Sequence, residues 1–255
     1  MMAVSLQSGS NGNCIYVEAE GVKLIFDAGI SGRQAEQRLA DLGRDIREVD
    51  AVIISHDHAD HLRCAGIFQR KYNLPLYITP QTLEAGKAQN LGRLGDVRYF
   101  QAGTALAIGS VIVETIPTPH DGADGVAFVV EARRKRLGIL TDLGHLFEGL
   151  AETIASLDAV FLESNFDPEM LNRGPYPDFL KRRILGRGGH ISNHEAADLL
   201  KTAAPDHLQW VCLAHLSEQN NDPELARETH RRMLSDRFPL HLAGRHRASA
   251  VLTVD

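Results

Sequence analysis

The stretch Ala51-Val52-Ile53-Ile54-Ser55-His56-Asp57-His58-Ala59-Asp60-His61 joins an apolar run to three histidines and a carboxylate within six residues. The apolar run is typical of a buried strand, so the histidines follow its carboxyl end, where open α/β sheets bind ligands. In extended backbone His56 and His58 point the same way. A turn into a helix through Leu62 to Tyr72 can bring Asp60 and His61 to a second cation. The stretch therefore predicts a site for two metals rather than solvated loop histidines.

Other polar residues also follow predicted strands. His120 lies beyond the strand or strand pair of residues 107–116, and His215 lies beyond the strand 209–213. Asp142 ends the apolar strand 136–140, and two interpretations stay open for it. A carboxylate there can bridge two cations, because its oxygens offer about four lone-pair directions. Alternatively, it caps a helix over 146–157.

Two further segments indicate a site for an anionic substrate. The run Ser8–Asn13 is either a hairpin loop or an anion-binding concavity of backbone amides and polar side chains. Residues 173–187 carry five positive charges and one negative, with Tyr176 and Phe179 between them. Basic residues with aromatic neighbours suit a phosphate backbone and an unstacked base, although a charged amphipathic helix is the commoner explanation. His190 follows two glycines at a helix start and can lie close to a bound anion.

Composition limits the class of protein. The 255 residues are 44% apolar, which is enough for a full core and predicts one domain over residues 1–255. The net charge of −6 argues against a protein whose whole surface is basic and binds nucleic acid, so any nucleic-acid site must be local. The three cysteines are widely spaced, and we see neither a signal peptide nor a long apolar run. We therefore expect a soluble protein of the reducing cytoplasm, without a membrane partner.

The H-x-H-x-D-H motif resembles the signature of the metallo-β-lactamase superfamily, and the later histidines and Asp142 extend that resemblance along nearly the whole chain. A more particular resemblance is to the YycJ/WalJ exonuclease group, related to RNase Z. It rests on the segments Ser8–Asn13, Glu163–Asn165, Tyr176–Ile184, Gly189–Asn193 and His215–Asn221. The resemblance implies a four-layer αβ/βα sandwich (fold class α/β). Phe128 stands where many relatives show Tyr.

The resemblance also implies roles for individual residues. One metal would be held by His56, His58, His120 and Asp142, and the other by Asp60, His61, Asp142 and His215. His190 would be free to transfer protons, oriented by Glu163, and Asp60 would orient the nucleophile. Asp27 is either an ordinary turn residue or a support for the histidine loop. We expect substrate contacts from Ser8, Asn11, Asn13, Tyr176, Lys181, Arg182, Arg183, Ser217 and Asn220.

These observations predict metal-assisted phosphodiester hydrolysis, with DNA as the substrate and exonucleolytic cleavage, 5′ to 3′ by family resemblance, in a possible repair role. The donor set of five imidazoles and two carboxylates suits zinc, manganese or iron, and the resemblance favours manganese. Two alternatives remain open. The same centre can hydrolyse small esters or thioesters, or the protein can be an inactive metal- and nucleic-acid-binding protein.

Overall fold

Two mixed sheets of seven strands form the centre of the computed structural model, which describes residues 1–255. The first sheet contains β1 (Met2–Gln7), β2 (Cys14–Ala19), β3 (Val22–Phe26), β4 (Ala51–Ile53), β5 (Leu76–Ile78), β6 (Val97–Tyr99) and β14 (Leu252–Thr253), in the order β14-β1-β2-β3-β4-β5-β6. The second contains β7 (Ala105–Ile108), β8 (Val111–Pro117), β9 (Val126–Ala132), β10 (Lys135–Leu140), β11 (Ala159–Glu163), β12 (Trp210–Ala214) and β13 (Leu240–Leu242), in the order β13-β12-β11-β10-β9-β8-β7.

Nine α-helices surround the sheets. They are α1 (Gly32–Ala40), α2 (Ala59–Leu62), α3 (Ala65–Tyr72), α4 (Pro80–Ala85), α5 (Leu150–Ala155), α6 (Pro168–Arg173), α7 (Asp178–Leu185), α8 (Asn193–Ala203) and α9 (Pro223–Leu234). The start of α1 agrees with its sequence signal, since Ser31 and Gln34 form a reciprocal capping box.

Three apolar clusters divide the fold into layers. The largest contains inward-facing residues of both sheets, with the rings of Phe26 and Phe128 5.0 Å apart between centroids. A second cluster joins the first sheet to α1 and α3, and a third joins the second sheet to α5, α8 and α9. The order is therefore helix, sheet, sheet, helix, and the predicted four-layer sandwich is confirmed.

The parallel parts of both sheets create one edge that collects functional side chains. Strands β3 to β6 run parallel in the first sheet, as do β10 to β13 in the second. The carboxyl ends of β3, β4, β10, β11 and β12 lead to Asp27, His56, Asp142, Glu163 and His215. This arrangement is the one that the sequence pattern predicts for a ligand site.

Several element boundaries differ from the sequence predictions. The helix after the metal motif begins earlier, because His58 is the N-cap of the short α2 and Asp60 lies in its first turn. Helix α5 spans only Leu150–Ala155 and begins after Gly149, so Asp142 does not cap it. The last strand, β14, contains only two residues and pairs with β1. None of the helices has the length and apolar character that a membrane crossing requires.

Candidate metal centre

The H-x-H-x-D-H motif surrounds one point beyond β4. His56 and His61 are buried, and their ring centroids lie 4.2 Å apart. His58 is partly exposed, with its ring centroid 4.6 Å from that of His56. The extended backbone before α2 places the first two histidines together, and the first helical turn returns His61 to them.

Three residues from distant parts of the chain complete the cluster. His120 Nε2 lies 3.3 Å from His58 Nδ1. His215 Nε2 lies 3.4 Å from Asp60 Oδ2 and 3.4 Å from Asp142 Oδ1. The other oxygen of Asp142 lies 3.3 Å from His61 Nε2, so this carboxylate stands between the two sides of the cluster. The structure thus brings together all seven residues that the sequence proposed as metal ligands.

The donor atoms suit divalent cations. Sets of three or four ligand atoms lie within 4.8 Å of one another, including His56 with His58 and His120, and Asp60 with His61 and His215. His56 Nε2 and Asp142 Oδ2 are buried and have no hydrogen-bond partner in the protein. Buried polar atoms normally have partners, so these two atoms are well suited to bind a cation. Imidazole nitrogens with carboxylate oxygens are ligands that zinc and manganese accept.

Electrostatics support the same interpretation. Burial opposes protonation of His61, but the carboxylates of Asp142, Asp27 and Asp60 raise the pKa of this imidazole well above its ordinary value. Burial alone would raise the pKa of Asp142, but the surrounding imidazoles, led by His215 and His61, lower it well below its ordinary range. In contrast, burial lowers the pKa of His56 well below its ordinary value. The cluster attracts positive charge, which a cation can supply in place of protons.

Hydrogen bonds fix the orientation of the imidazoles. Asp27 Oδ2 accepts from His61 Nδ1 at 2.7 Å, and Asp27 Oδ1 accepts from the Ser55 backbone N–H at 2.8 Å. His120 Nδ1 donates to the carbonyl oxygen of Gly189 at 2.8 Å. In the neutral imidazoles these bonds place the one ring proton on Nδ1, so Nε2 of His61 and of His120 is the nitrogen that can bind a cation in the cluster. Of the two interpretations of Asp27, the contacts favour support of the histidine loop.

Backbone conformation contributes to this arrangement. Asp27, Asp142 and His215 have φ values of 64°, 57° and 56°, in the left-handed region that non-glycine residues rarely adopt. Each follows a strand and turns its side chain toward the cluster immediately after the strand ends. Such strain is found at sites where the surrounding structure enforces it.

The Ser8–Asn13 loop lies beneath the ligands. Ser8 Oγ accepts from the His215 backbone N–H at 2.8 Å, and Asn13 Nδ2 lies 3.2 Å from Asp60 Oδ2 and 2.9 Å from His61 Nε2. Both residues are buried. Their side chains hold the candidate ligands in place. The structure therefore supports neither of the two interpretations of this run, a simple hairpin loop or an anion-binding concavity.

His190 and Glu163 form a pair beside the cluster. His190 Nδ1 lies 2.5 Å from Glu163 Oε1 and 3.8 Å from Asp142 Oδ1. Glu163 Oε2 also accepts from the backbone N–H groups of Leu143 at 3.0 Å and Ile191 at 3.4 Å. Because both carboxylate oxygens are already used, Glu163 is better suited to orienting His190 than to binding a cation.

The remaining predicted substrate residues are divided between two surfaces. Tyr176, Lys181, Arg182 and Arg183 lie on or just before α7, whereas Asn11, Ser217 and Asn220 lie in loops near His215. Asn220 is fully buried and donates to Ser217 Oγ at 3.3 Å, and Asn11 Nδ2 donates to the carbonyl oxygen of Arg245 at 3.2 Å. The side chains of these loop residues therefore form hydrogen bonds within the protein. The charged side chains of α7 are more accessible to a substrate.

Sequence reasoning missed two residues that contact candidate ligands. Asp121 Oδ1 lies 3.3 Å from His58 Nε2, and the carboxylate also forms a two-bond ion pair with Arg183 at 2.6 and 2.9 Å. Asn165 Nδ2 lies 3.0 Å from His215 Nδ1 and donates to the His215 carbonyl at 2.7 Å. The adjacency of Asp121 to His120 was the available signal for the first. Asn165 lay within a motif segment but carried no assigned role.

Comparison with known proteins agrees with this geometry. Residues 8–155 match a family model described as the metallo-beta-lactamase superfamily. The chain is 34% identical to an exodeoxyribonuclease YycJ of Bacillus anthracis, over 91% of this chain and 88% of that protein. It is also 34% identical to an exodeoxyribonuclease WalJ of Streptococcus pneumoniae, over 88% and 84% of the two chains.

Solved structures share the fold. The metallo-beta-lactamase fold protein YhfI from Bacillus subtilis superposes with a TM-score of 0.75 at 17% identity, covering 99% of this chain and 100% of that one. The short form of human tRNase Z gives a TM-score of 0.69 at 14% identity, covering 100% of both chains. At these identities the likeness concerns the arrangement of the sheets and helices alone.

Proposed function

This chain belongs to the metallo-beta-lactamase superfamily, and we propose that it is a metal-dependent phosphodiester hydrolase that degrades DNA as an exonuclease. The observation that carries the proposal is the His190–Glu163 pair, held at 2.5 Å at the border of a complete set of candidate ligands. A hydrolase that expels an alkoxide from a phosphodiester needs a proton donor at such a position.

We assign the ligands in two sets that share Asp142. The first set contains His56, His58 and His120, and the second contains Asp60, His61 and His215. Asp142 joins both, because its oxygens lie 3.6 Å from His120 Nε2 and 3.3 Å from His61 Nε2. Two divalent cations bound there, manganese or zinc, supply Lewis acidity toward the phosphate oxygens and toward water. When a cation replaces the second ring proton, the bonds to Asp27 and to the Gly189 carbonyl keep the remaining proton on Nδ1 and leave Nε2 of His61 and His120 to bind the cation.

His190 acts as the general acid in this proposal. Its Nδ1 is held by Glu163, so the proton that reaches the leaving oxygen comes from Nε2. The Glu163 carboxylate stabilises the imidazolium and keeps the ring plane fixed, because the same carboxylate is anchored by the backbone of Leu143 and Ile191. Positioned proton transfer of this kind contributes about 10²–10⁴-fold to turnover.

Asp60 has a second role besides ligation. Asn13 Nδ2 lies 3.2 Å from Asp60 Oδ2, and the Asp60 side chain is 18% exposed. A fixed but accessible carboxylate accepts a hydrogen bond from the attacking water and directs its lone pair toward the phosphorus. Geometry of this sort lowers the entropic part of the barrier.

The choice of DNA rests on the relatives, because the curated proteins described above, which match most of this chain, are named exodeoxyribonucleases. By the same resemblance we propose digestion in the 5′ to 3′ direction and a role in repair. A DNA substrate and the three unpaired thiols of Cys14, Cys64 and Cys212 fit a reducing cytoplasm.

The test is cleavage of end-labelled single- and double-stranded DNA by metal-free protein resupplied with manganese, magnesium or zinc. We expect metal-dependent release of nucleotides from one end and none from an Asp142→Ala variant. Cleavage of lactones or thioesters with no cleavage of DNA would assign the protein to the small-ester hydrolases. Tight DNA binding without hydrolysis under any metal would make it a binding protein.

A second experiment separates His190 from the ligands. We expect His190→Ala to lower kcat on DNA by about 10²–10⁴-fold while the bound metal per chain is unchanged. The matched control is His207→Ala, which removes an exposed histidine after α8 and should match the wild type. Loss of metal from the His190 variant would make His190 a ligand and contradict its assignment as the acid.

A further inference from the structure

We propose that Phe179 stacks against an unpaired base at the strand end that enters the metal centre, with α7 as the platform for that strand. The inference rests on the proposed function and specifies a contact within it. Its occupant is single-stranded nucleic acid, whose bases offer apolar faces and whose phosphates offer negative charge.

Helix α7 is fixed directly beside the candidate ligands. Arg183 donates two hydrogen bonds to Asp121, the residue that follows His120. At the end of the helix, the carbonyl of Gly188 accepts from the Asp121 backbone N–H at 3.1 Å, and the carbonyl of Gly189 accepts from His120 Nδ1 at 2.8 Å. A substrate phosphate bound at the centre therefore places its neighbouring nucleotides close to α7.

The structure distinguishes the aromatic residues of this segment. Tyr176 and Leu180 pack against the small buried cluster of Phe166, Leu171 and Ile184, which holds α7 to the protein. Phe179 lies outside every apolar cluster, and 67% of its surface is exposed. Tyr176, the aromatic residue favoured by the sequence, is thus partly used in packing, and Phe179 is the ring available to a ligand.

Helical spacing relates Phe179 to the residue that ties α7 to the centre. Phe179 precedes Arg183 by four residues, so the two side chains occupy one row of the helix, about 6 Å apart along the axis. Arg183 in that row reaches Asp121. A base over the Phe179 ring would therefore lie about one helical turn from the border of the metal centre.

Charge around Phe179 favours a polyanion. Arg182 and Arg187 are exposed and form no ion pair within the protein, in a chain whose net charge is −6. A surface for apolar association with another protein would not need free arginines on the same segment as the ring. Exposed aromatic rings with free cations nearby are typical of surfaces that follow a single strand.

The test compares Phe179→Ala with Phe179→Trp and with Leu185→Ala, which removes an equally exposed side chain (64%) from the same helix. The manganese-loaded proteins are assayed on end-labelled single-stranded DNA. We expect Phe179→Ala to lower kcat/KM by about 5- to 150-fold, the effect of losing one base stack. Phe179→Trp should restore the rate, and Leu185→Ala should match the wild type.

A binding measurement reports stacking itself. The probe is a phosphorothioate oligonucleotide with 2-aminopurine near one end, whose fluorescence falls when its base stacks. We expect the wild type and Phe179→Trp to quench it and Phe179→Ala not to. Equal quenching by all variants, or equal rates for Phe179→Ala and Leu185→Ala, would overturn the inference. Quenching by a wild type that cleaves no DNA would overturn the exonuclease function and leave the stacking contact standing.

Discussion

Replacement of Asp27 by asparagine should weaken metal binding without unfolding the protein. Asp27 Oδ1 accepts from the Ser55 backbone N–H, and Asp27 Oδ2 accepts from His61 Nδ1 at 2.7 Å. An asparagine keeps the bond to Ser55 with its one oxygen, and then directs an amide N–H at His61 Nδ1. Two donors cannot share that contact, so His61 must move its proton to Nε2 or leave its position. Either response removes the nitrogen that we assign to the metal.

The size of the effect follows from the contact that is lost. Removing the carboxylate that orients a ligating histidine typically lowers metal affinity by about 10- to 100-fold, or about 1.4–2.7 kcal/mol. The assay is competition for Mn²⁺ against a fluorescent chelator, with circular dichroism as a check of folding. The control is Asp41→Asn, which makes the same charge change at an exposed residue that accepts only from Gln37.

One result would refute this reasoning. A folded Asp27→Asn protein that binds Mn²⁺ as tightly as the Asp41 control would show that His61 Nε2 does not ligate, or that its tautomer is set elsewhere. Unfolding of the variant would instead mean that the buried contact between the Asp27 carboxylate and His61 also stabilises the fold. In that case Asp27→Glu, which keeps the charge, should fold and retain metal.

Three further predictions concern stability. In Gly29→Ala, the added Cβ would lie 1.6 Å from the Asp60 carbonyl oxygen. We therefore expect urea titration to show a free energy of unfolding lower by about 3 kcal/mol, and metal analysis to show loss of bound metal. Wild-type values in both measurements would contradict the packing argument. Burial lowers the pKa of His230 from 6.5 to about 4, against the opposing bond to the Ala226 carbonyl. Because the folded state then resists protonation, the free energy of unfolding falls as the pH drops from about 6.5 to 4. Over that range the free energy of unfolding of His230→Leu, measured by urea titration, should fall by up to about 3 kcal/mol less than that of the wild type. Parallel pH profiles for the two proteins would count against this prediction. Finally, Mn²⁺ at a hundred times its Kd should raise the free energy of unfolding by about 2.7 kcal/mol per site, because it binds the folded state and not the unfolded one. A thermal midpoint that is the same with and without chelator would contradict this prediction.

The sequence determined the location of the centre because its signals are local. Four candidate ligands within six residues need only an extended strand and one helical turn to converge, and both are encoded nearby. The four-layer fold was predicted from the resemblance to the metallo-β-lactamase superfamily. His120, Asp142 and His215 could be assigned because each follows a strand, and the carboxyl ends of parallel strands meet at one edge.

The tertiary structure decided the features that depend on contacts between distant residues. The left-handed conformations of Asp142 and His215 are unfavourable locally and persist because the surrounding structure enforces them, so no propensity predicts them. Asp121 is distant from His58 in the sequence, and only the folded chain brings its carboxylate to 3.3 Å from His58 Nε2. Likewise, an eight-residue basic helix does not reveal which aromatic side chain is buried. The cluster beneath α7 used Tyr176 and left Phe179 exposed, because burial depends on the partner surface as well as on the helix itself.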